Sequence, residues 1–285
     1  MSFSFHLAAP TPPDYQAILF GVNLTDVEQV EDDGPTEGPW PEDVLHFYRP
    51  GLSTRGVEVA WEKEQFSVCI LTLSSAEDYD LALRFVESAA VILGGDVEPE
   101  DGDPFPVEEL RERYDEEWGR QTNEAGVVTL RALVADDENT MMMSGPMRPF
   151  HIGSALVEEL DELGPTEEFQ DRLLEAMRQV QNIDPDDYFP AEAMEIGKND
   201  EPEKTVTVAA WGPDVSYLFP VVDYLVLLDE DRDPIFIPYE MLPEILEEGW
   251  TFIDERQMLV EAIPGEDWPA LLEKAVLFAE TPLEE

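Results

Sequence analysis

VEVAWEKEQFSVCILTLSSAEDYDLALRFVESAAVILGG, residues 57–95, decides the fold class. Val57 to Trp61 alternates apolar and polar side chains, Phe66 to Leu73 runs apolar, and Glu62 to Gln65 between them is polar. Two such runs joined by a short polar turn predict a β-hairpin over 57–73. The period then changes. Tyr79, Ala82, Leu83, Val86, Ala90 and Leu93 recur at three- and four-residue spacing. Ser74 with Glu77 reads as a capping box and Gly94 as a stop, which predicts a helix over 75–93 whose apolar face lies on the hairpin.

Towards the N-terminus, Phe3 to Leu7 alternates like a strand, and residues 31–43 (EDDGPTEGPWPED) form an acidic loop rich in Gly and Pro. Downstream, the acidic loop EPEDGDPFP (98–106) leads to a helix over about Val107 to Trp118, and Val127 to Val134 reads as a strand. A Met-rich stretch over 139–148 extends or interrupts the sheet, and residues 153–182 carry two helical patterns broken at Gly164 and Pro165. Asp184 to Glu203 is polar and reads as a linker or surface excursion. The last third offers strands near Thr205–Trp211, Tyr224–Leu228, Ile235–Pro238 and Met258–Ala262. Helices are expected over Tyr239–Glu248 and from about Gly265.

Helices and strands are mixed rather than strictly alternating. The expected class is α+β, with mostly antiparallel sheets backed by helices. The organisation expected is an N-terminal α+β half over 1–150, a helical connector over 151–198 and a C-terminal α+β half over 199–285. Asp78-Tyr79 and Asp267-Trp268 both open a helix after an apolar strand. Either the halves are two related sub-domains or both follow ordinary strand-to-helix sequence grammar, since helix starts collect acids.

With 43% hydrophobic and 10% aromatic residues over 285 positions, the chain has ample material for a packed core. Its 66 Asp and Glu against 16 Lys and Arg give a net charge of -50. Such a surface repels phosphate backbones and anionic membranes, so neither direct nucleic-acid nor membrane binding is expected, and the natural partner is a basic protein or a divalent cation. Surface acid that only keeps the chain hydrated in a salty cytoplasm accounts for the charge equally well. Cys69 is the single cysteine, which excludes an intramolecular disulfide and a cysteine-rich metal cluster. The opening MSFSFHLAAPTPPDY has no basic n-region, and no apolar run approaches membrane length. A cytoplasmic location is expected.

Few residues offer covalent chemistry. Cys69, in the apolar run VCILTL, reads as an inert core thiol. His6, His46 and His151 form no paired-histidine motif, and His151, near Arg148, reads as structural. In DEDRDPIFIPYE, Asp229, Asp231, Asp233 and Glu240 occupy positions 1, 3, 5 and 12 of a calcium loop, but Pro234 stands where that loop needs Gly and the flanks read as strands. A charged turn is the favoured reading, and no cofactor is expected, a divalent cation being the minor alternative.

Aromatics set among carboxylates are the stronger recognition signal: Trp40 in GPWPED and Tyr188-Phe189 beside Asp186 and Asp187, with the further acids Glu98, Glu100, Asp101 and Asp103. Together these point to a non-enzymatic module that neutralises or sequesters a basic protein, in the manner of an immunity protein, an antitoxin or a nucleic-acid mimic. The alternatives are a carboxylate-based metal-dependent enzyme or ligand-binding protein, and a salt-adapted scaffold.

Overall fold

In the computed structural model the chain forms two compact units, residues 1–182 and 183–285. The residues described are 2–30, 37–136, 139–198, 201–229 and 232–282, so part of the 31–43 loop lies outside them. The architecture is α+β, as the sequence pattern predicts. No described helix is long and apolar enough to cross a membrane.

The first unit is built on a six-stranded antiparallel sheet. Its strands are β1 (Ser2–Ala8), β2 (Glu28–Gln29), β3 (Leu45–Tyr48), β4 (Val57–Glu62), β5 (Gln65–Leu71) and β6 (Glu98–Pro99), in the order β2-β3-β4-β5-β1-β6. The predicted hairpin is β4 and β5, turning at Lys63 and Glu64, both with positive φ. Alternation then sorts the faces. Phe5, Leu7, Phe47, Val57, Val59, Phe66, Val68 and Ile70 are buried in one core with α1 (Tyr15–Val22) and α2 (Ala76–Leu93). The two helices meet at Gly21, where a Cβ would fall 2.2 Å from the Ser88 hydroxyl oxygen, so only glycine permits this approach.

The capping box lies one residue later than predicted. Ser75 caps α2 by accepting from the Asp78 N–H, and the Asp78 carboxylate accepts from the Ser75 N–H in return. After the short α3 (Leu110–Arg113), α4 spans Glu116–Leu133, so the strand expected over Val127 to Val134 is helical instead. Packing overrides the β-branched local sequence here. Gly119, Asn123, Gly126 and Leu130, at helical spacing, face inward, with Gly119 against the Tyr79 ring and Gly126 against Thr72 and Leu73. The Met-rich stretch pairs as a small hairpin, β7 (Met141–Met143) with β8 (Phe150–Ile152), ahead of α5 (Ser154–Glu162) and α6 (Phe169–Gln181).

The second unit has two four-stranded sheets. Its strands are β9 (Phe189–Pro190), β10 (Met194–Lys198), β11 (Glu201–Trp211), β12 (Tyr217–Pro220), β13 (Tyr224–Leu227), β14 (Ile235–Pro238), β15 (Trp250–Asp254) and β16 (Gln257–Val260). The sheets run β10-β11-β13-β14 and β15-β16-β12-β9. Both contribute to one core around Trp211, Phe219, Leu225, Met258 and Val260, closed by α7 (Leu242–Ile245) and α8 (Trp268–Ala275). The stretch expected as a linker, Asp184 to Glu203, instead supplies β9, β10 and the start of β11.

Candidate protein-binding surface

The candidate anchors separate by environment. Trp40 is not exposed: at 2% accessibility it packs against Tyr15, Phe47 and Phe66, with ring centroids 5.0 to 6.1 Å away. The acidic, proline-flanked context that suggests a loop is correct, but the loop is tied down. Trp40 N–H donates to Pro13 O at 2.7 Å, and Tyr15 N–H donates to Gly38 O at 2.8 Å. Burying an indole outweighs the polarity of its sequence neighbours.

Glu98, Glu100, Asp101 and Asp103 are exposed on β6 and the loop beyond it. Mutual backbone bonds between Val97 and Phe105 close that loop. Glu100 is tied to strand β1, since its carboxylate accepts from Ser4 N–H at 3.1 Å. No large exposed aromatic accompanies these acids, because Phe105 is buried at 1%.

In the second acidic-aromatic segment Asp186, Asp187 and Phe189 are exposed. Asp184 accepts from Asp186 N–H at 2.9 Å and starts a single turn over Pro185–Asp187, leaving Asp186 and Asp187 exposed. The chain then enters β9, parallel to β12, with Phe189 opposite Tyr217. Phe189 is 55% exposed, and its ring meets Tyr217 edge-on at 5.7 Å; Tyr217 in turn stacks on the core residue Phe219 at 5.1 Å. An exposed aromatic is thereby held rigid by a line of rings reaching into the core, beside two free-standing carboxylates. Tyr188 is half-buried.

Of the calcium-loop residues, Asp231 lies outside the described residues. Asp229 is half-buried, while Asp233 and Glu240 are exposed. The segment joins β13 to β14, an antiparallel pair, rather than two helices. Among the described residues, no group of three or more His, Cys, Asp or Glu is placed to hold a metal ion.

Sequence reasoning missed a buried polar clamp in the first unit. Asp78, fully buried, accepts through one oxygen from the N–H groups of Thr54, Arg55 and Ser75 at 3.0 to 3.1 Å. Thr54 Oγ1 donates to Leu73 O at 2.9 Å, holding Leu73 in a left-handed conformation (φ 64°). The Arg55 side chain, 8% exposed, donates to Thr72 O at 2.9 Å, and burial lowers its pKa while Asp78 and Glu58 raise it. The clamp ties the β3–β4 loop to the start of α2. The spacing that would have flagged it is the pair Thr54-Arg55 and Ser75-Asp78, which only the hairpin register brings together.

Cys69 lies on the other sheet face, in a cross-strand row with His46, Glu58 and Ser4. Burial pushes its thiol pKa up, the Ser4 and Ser2 hydroxyls pull it down, and Glu58 and Glu100 add to the rise, with a net rise. The thiolate is the reactive form, so Cys69 is expected to react slowly with iodoacetamide at pH 8 in the folded protein and at the ordinary rate after denaturation. Equal rates in the two states would overturn this reading.

The charge is unevenly compensated. Residues 1–182 hold 39 acidic and 11 basic residues, whereas 183–285, a much shorter stretch, hold 27 and 5. In the first unit several arginines are drawn into surface networks. Arg49, Arg84 and Arg111 share Asp26, Asp80 and Glu87, and Arg131 makes a two-pronged pair with Asp161. The second unit, with Phe189 on its sheet edge, carries the denser negative charge.

No curated protein and no solved structure matches the chain. A family profile covers residues 24–204, from the turn after α1 through the first unit and into β11, which is more than half of the sequence. On that match the chain belongs to the family described as Domain of unknown function (DUF4299).

Proposed function

We propose that this protein is a non-enzymatic acidic binding module that holds a basic protein partner, with residues 183–285 as its main contact surface. The observation that carries the reading is Phe189. A large aromatic, more than half exposed yet braced by Tyr217 and Phe219, is an anchor of the type that dominates interface energies, and Asp186 and Asp187 beside it provide the charge that steers and selects a cationic surface. The excess of 27 acids over 5 bases in this unit extends the same potential. An immunity-like neutraliser of a cationic effector and a mimic of nucleic acid are the two concrete forms of this activity.

The test is affinity capture from the host lysate at low and moderate salt, using wild-type protein and a variant carrying Phe189→Ala, Asp186→Lys and Asp187→Lys. The expected result is one stoichiometric basic protein, retained by wild type, weakened by salt and lost from the variant. Capture of no basic protein in either buffer would sink the reading.

A further inference from the structure

The sheet edges of the second unit are guarded unequally. β14 is covered by the C-terminal segment, where Glu280 N–H donates to Phe236 O at 2.9 Å. β9 is two residues long and contains Pro190, which has no N–H to offer. β10 carries the charged side chain of Glu195 and ends in a register shift at Gly197/Lys198. These are ordinary ways of blunting an edge. β15 is the outer strand of its sheet, paired only with β16, and runs Trp250-Thr251-Phe252 without proline before its own register shift.

The hydrogen-bond alternation of β15 fixes which groups face outward. Glu261 N–H donates to Gly249 O at 2.8 Å, so Gly249 and Glu261 form a hydrogen-bonded pair. Antiparallel ladders alternate, which makes Thr251–Leu259 the next bonded pair and turns the backbone N–H and C=O of Trp250 and Phe252 away from β16, toward the open edge. Side chains tell a matching story. Phe252 is paired with Met258, 1% exposed in the core, and shares its face, yet Phe252 is 51% exposed. The core is therefore uncovered along this edge. Trp250, whose ring lies 6.0 Å from Phe252 and whose indole N–H donates to Leu246 O, holds the strand in place.

Charge identifies the occupant. Glu247, Glu248 and Glu261 are exposed at the end of the edge where the outward-facing residues begin, and the Glu247 side chain is 91% exposed with its nearest cation, Lys274, at 3.9 Å. We infer that β15 is a docking edge for an extended, basic segment of the partner protein, which adds a strand beside Trp250–Phe252, lays an apolar side chain on Phe252 and sets Lys or Arg against Glu247, Glu248 and Glu261. This rests on the basic-partner reading above and gives it a second contact and a mode, β-strand addition, in which backbone bonds supply affinity and alternate side chains supply selectivity.

The test uses the full chain and two synthetic peptides: one of alternating lysine and valine, and one of equal charge with every second valine replaced by proline, which cannot form a ladder. Amide hydrogen exchange at Trp250 and Phe252 and peptide affinity are both read. The alternating peptide is expected to slow exchange at those two amides and to bind about tenfold more tightly than the proline peptide. Phe252→Pro removes an outward N–H without touching the β15–β16 ladder and should abolish that difference. Phe252→Ala, which keeps the amide, should retain the protection while weakening binding, so a misfolded proline variant does not decide the matter.

Equal affinity for both peptides with unchanged exchange at Trp250 and Phe252 would overturn the edge proposal while leaving the basic-partner reading standing. Binding of neither peptide at low salt, together with failure of the lysate capture, would remove both. Concentration-dependent protection of the two amides without any peptide would assign the edge to a second copy of the chain and overturn the proposal.

Discussion

Replacing Asp78 with alanine is expected to lower the stability of residues 1–182 by roughly 3–5 kcal/mol, read as a fall in the denaturation midpoint of that unit. Three buried backbone N–H groups, of Thr54, Arg55 and Ser75, converge on one carboxylate oxygen, and each would be left unpaired. The substitution also withdraws the negative charge that favours the buried Arg55 guanidinium. Asp78→Asn is expected to cost less, because its carbonyl oxygen keeps the three N–H bonds, while its amide is buried where the second carboxylate oxygen has no hydrogen-bond partner and the charge facing Arg55 is lost. A small loss on Asp78→Ala, below about 1 kcal/mol, would show that the clamp contributes only an ordinary surface cap.

The same residue shows where the sequence is legible and where it stops. Residues 57–95 announce a hairpin and a helix because the change of period is written in consecutive side chains. The cap is ambiguous because two serines, Ser74 and Ser75, each have an acid three residues on, Glu77 and Asp78. Ser75 and Asp78 win because Asp78 also reaches the Thr54–Arg55 backbone, a contact 24 residues distant in sequence. Long-range contact likewise explains the helix read as a strand at Val127 to Val134, where glycine spacing matters more than the local β-branched run. Trp40 and Phe189 sit in similar acidic, proline-bearing contexts, yet one is buried and the other exposed, depending on which strand each is laid against. β12 and β15 escape notice although the equally short β13, β14 and β16 do not: β12 is a brief apolar run closed by Pro220, and β15 directly follows the acidic turn Glu247-Glu248-Gly249.

Trp211→Ala is expected to destabilise residues 183–285 by roughly 3–5 kcal/mol, the cost of emptying a large buried aromatic site. Trp211 is fully buried and meets Trp268 at 5.4 Å and Phe219 at 6.1 Å, so it touches both α8 and the sheet that carries β15 and β9. Trp211→Phe is the informative companion. The indole N–H is buried without a hydrogen-bond partner, so phenylalanine loses volume but also removes a desolvated donor, and the expected loss is only about 1–2 kcal/mol. Hydrogen exchange separates the two large effects. Because the two units have separate cores, Asp78→Ala should release amides in residues 1–182, and Trp211→Ala those in 183–285, including the N–H groups of β16, which is paired on both sides. If both variants instead release amides throughout the chain, the units unfold as one cooperative body.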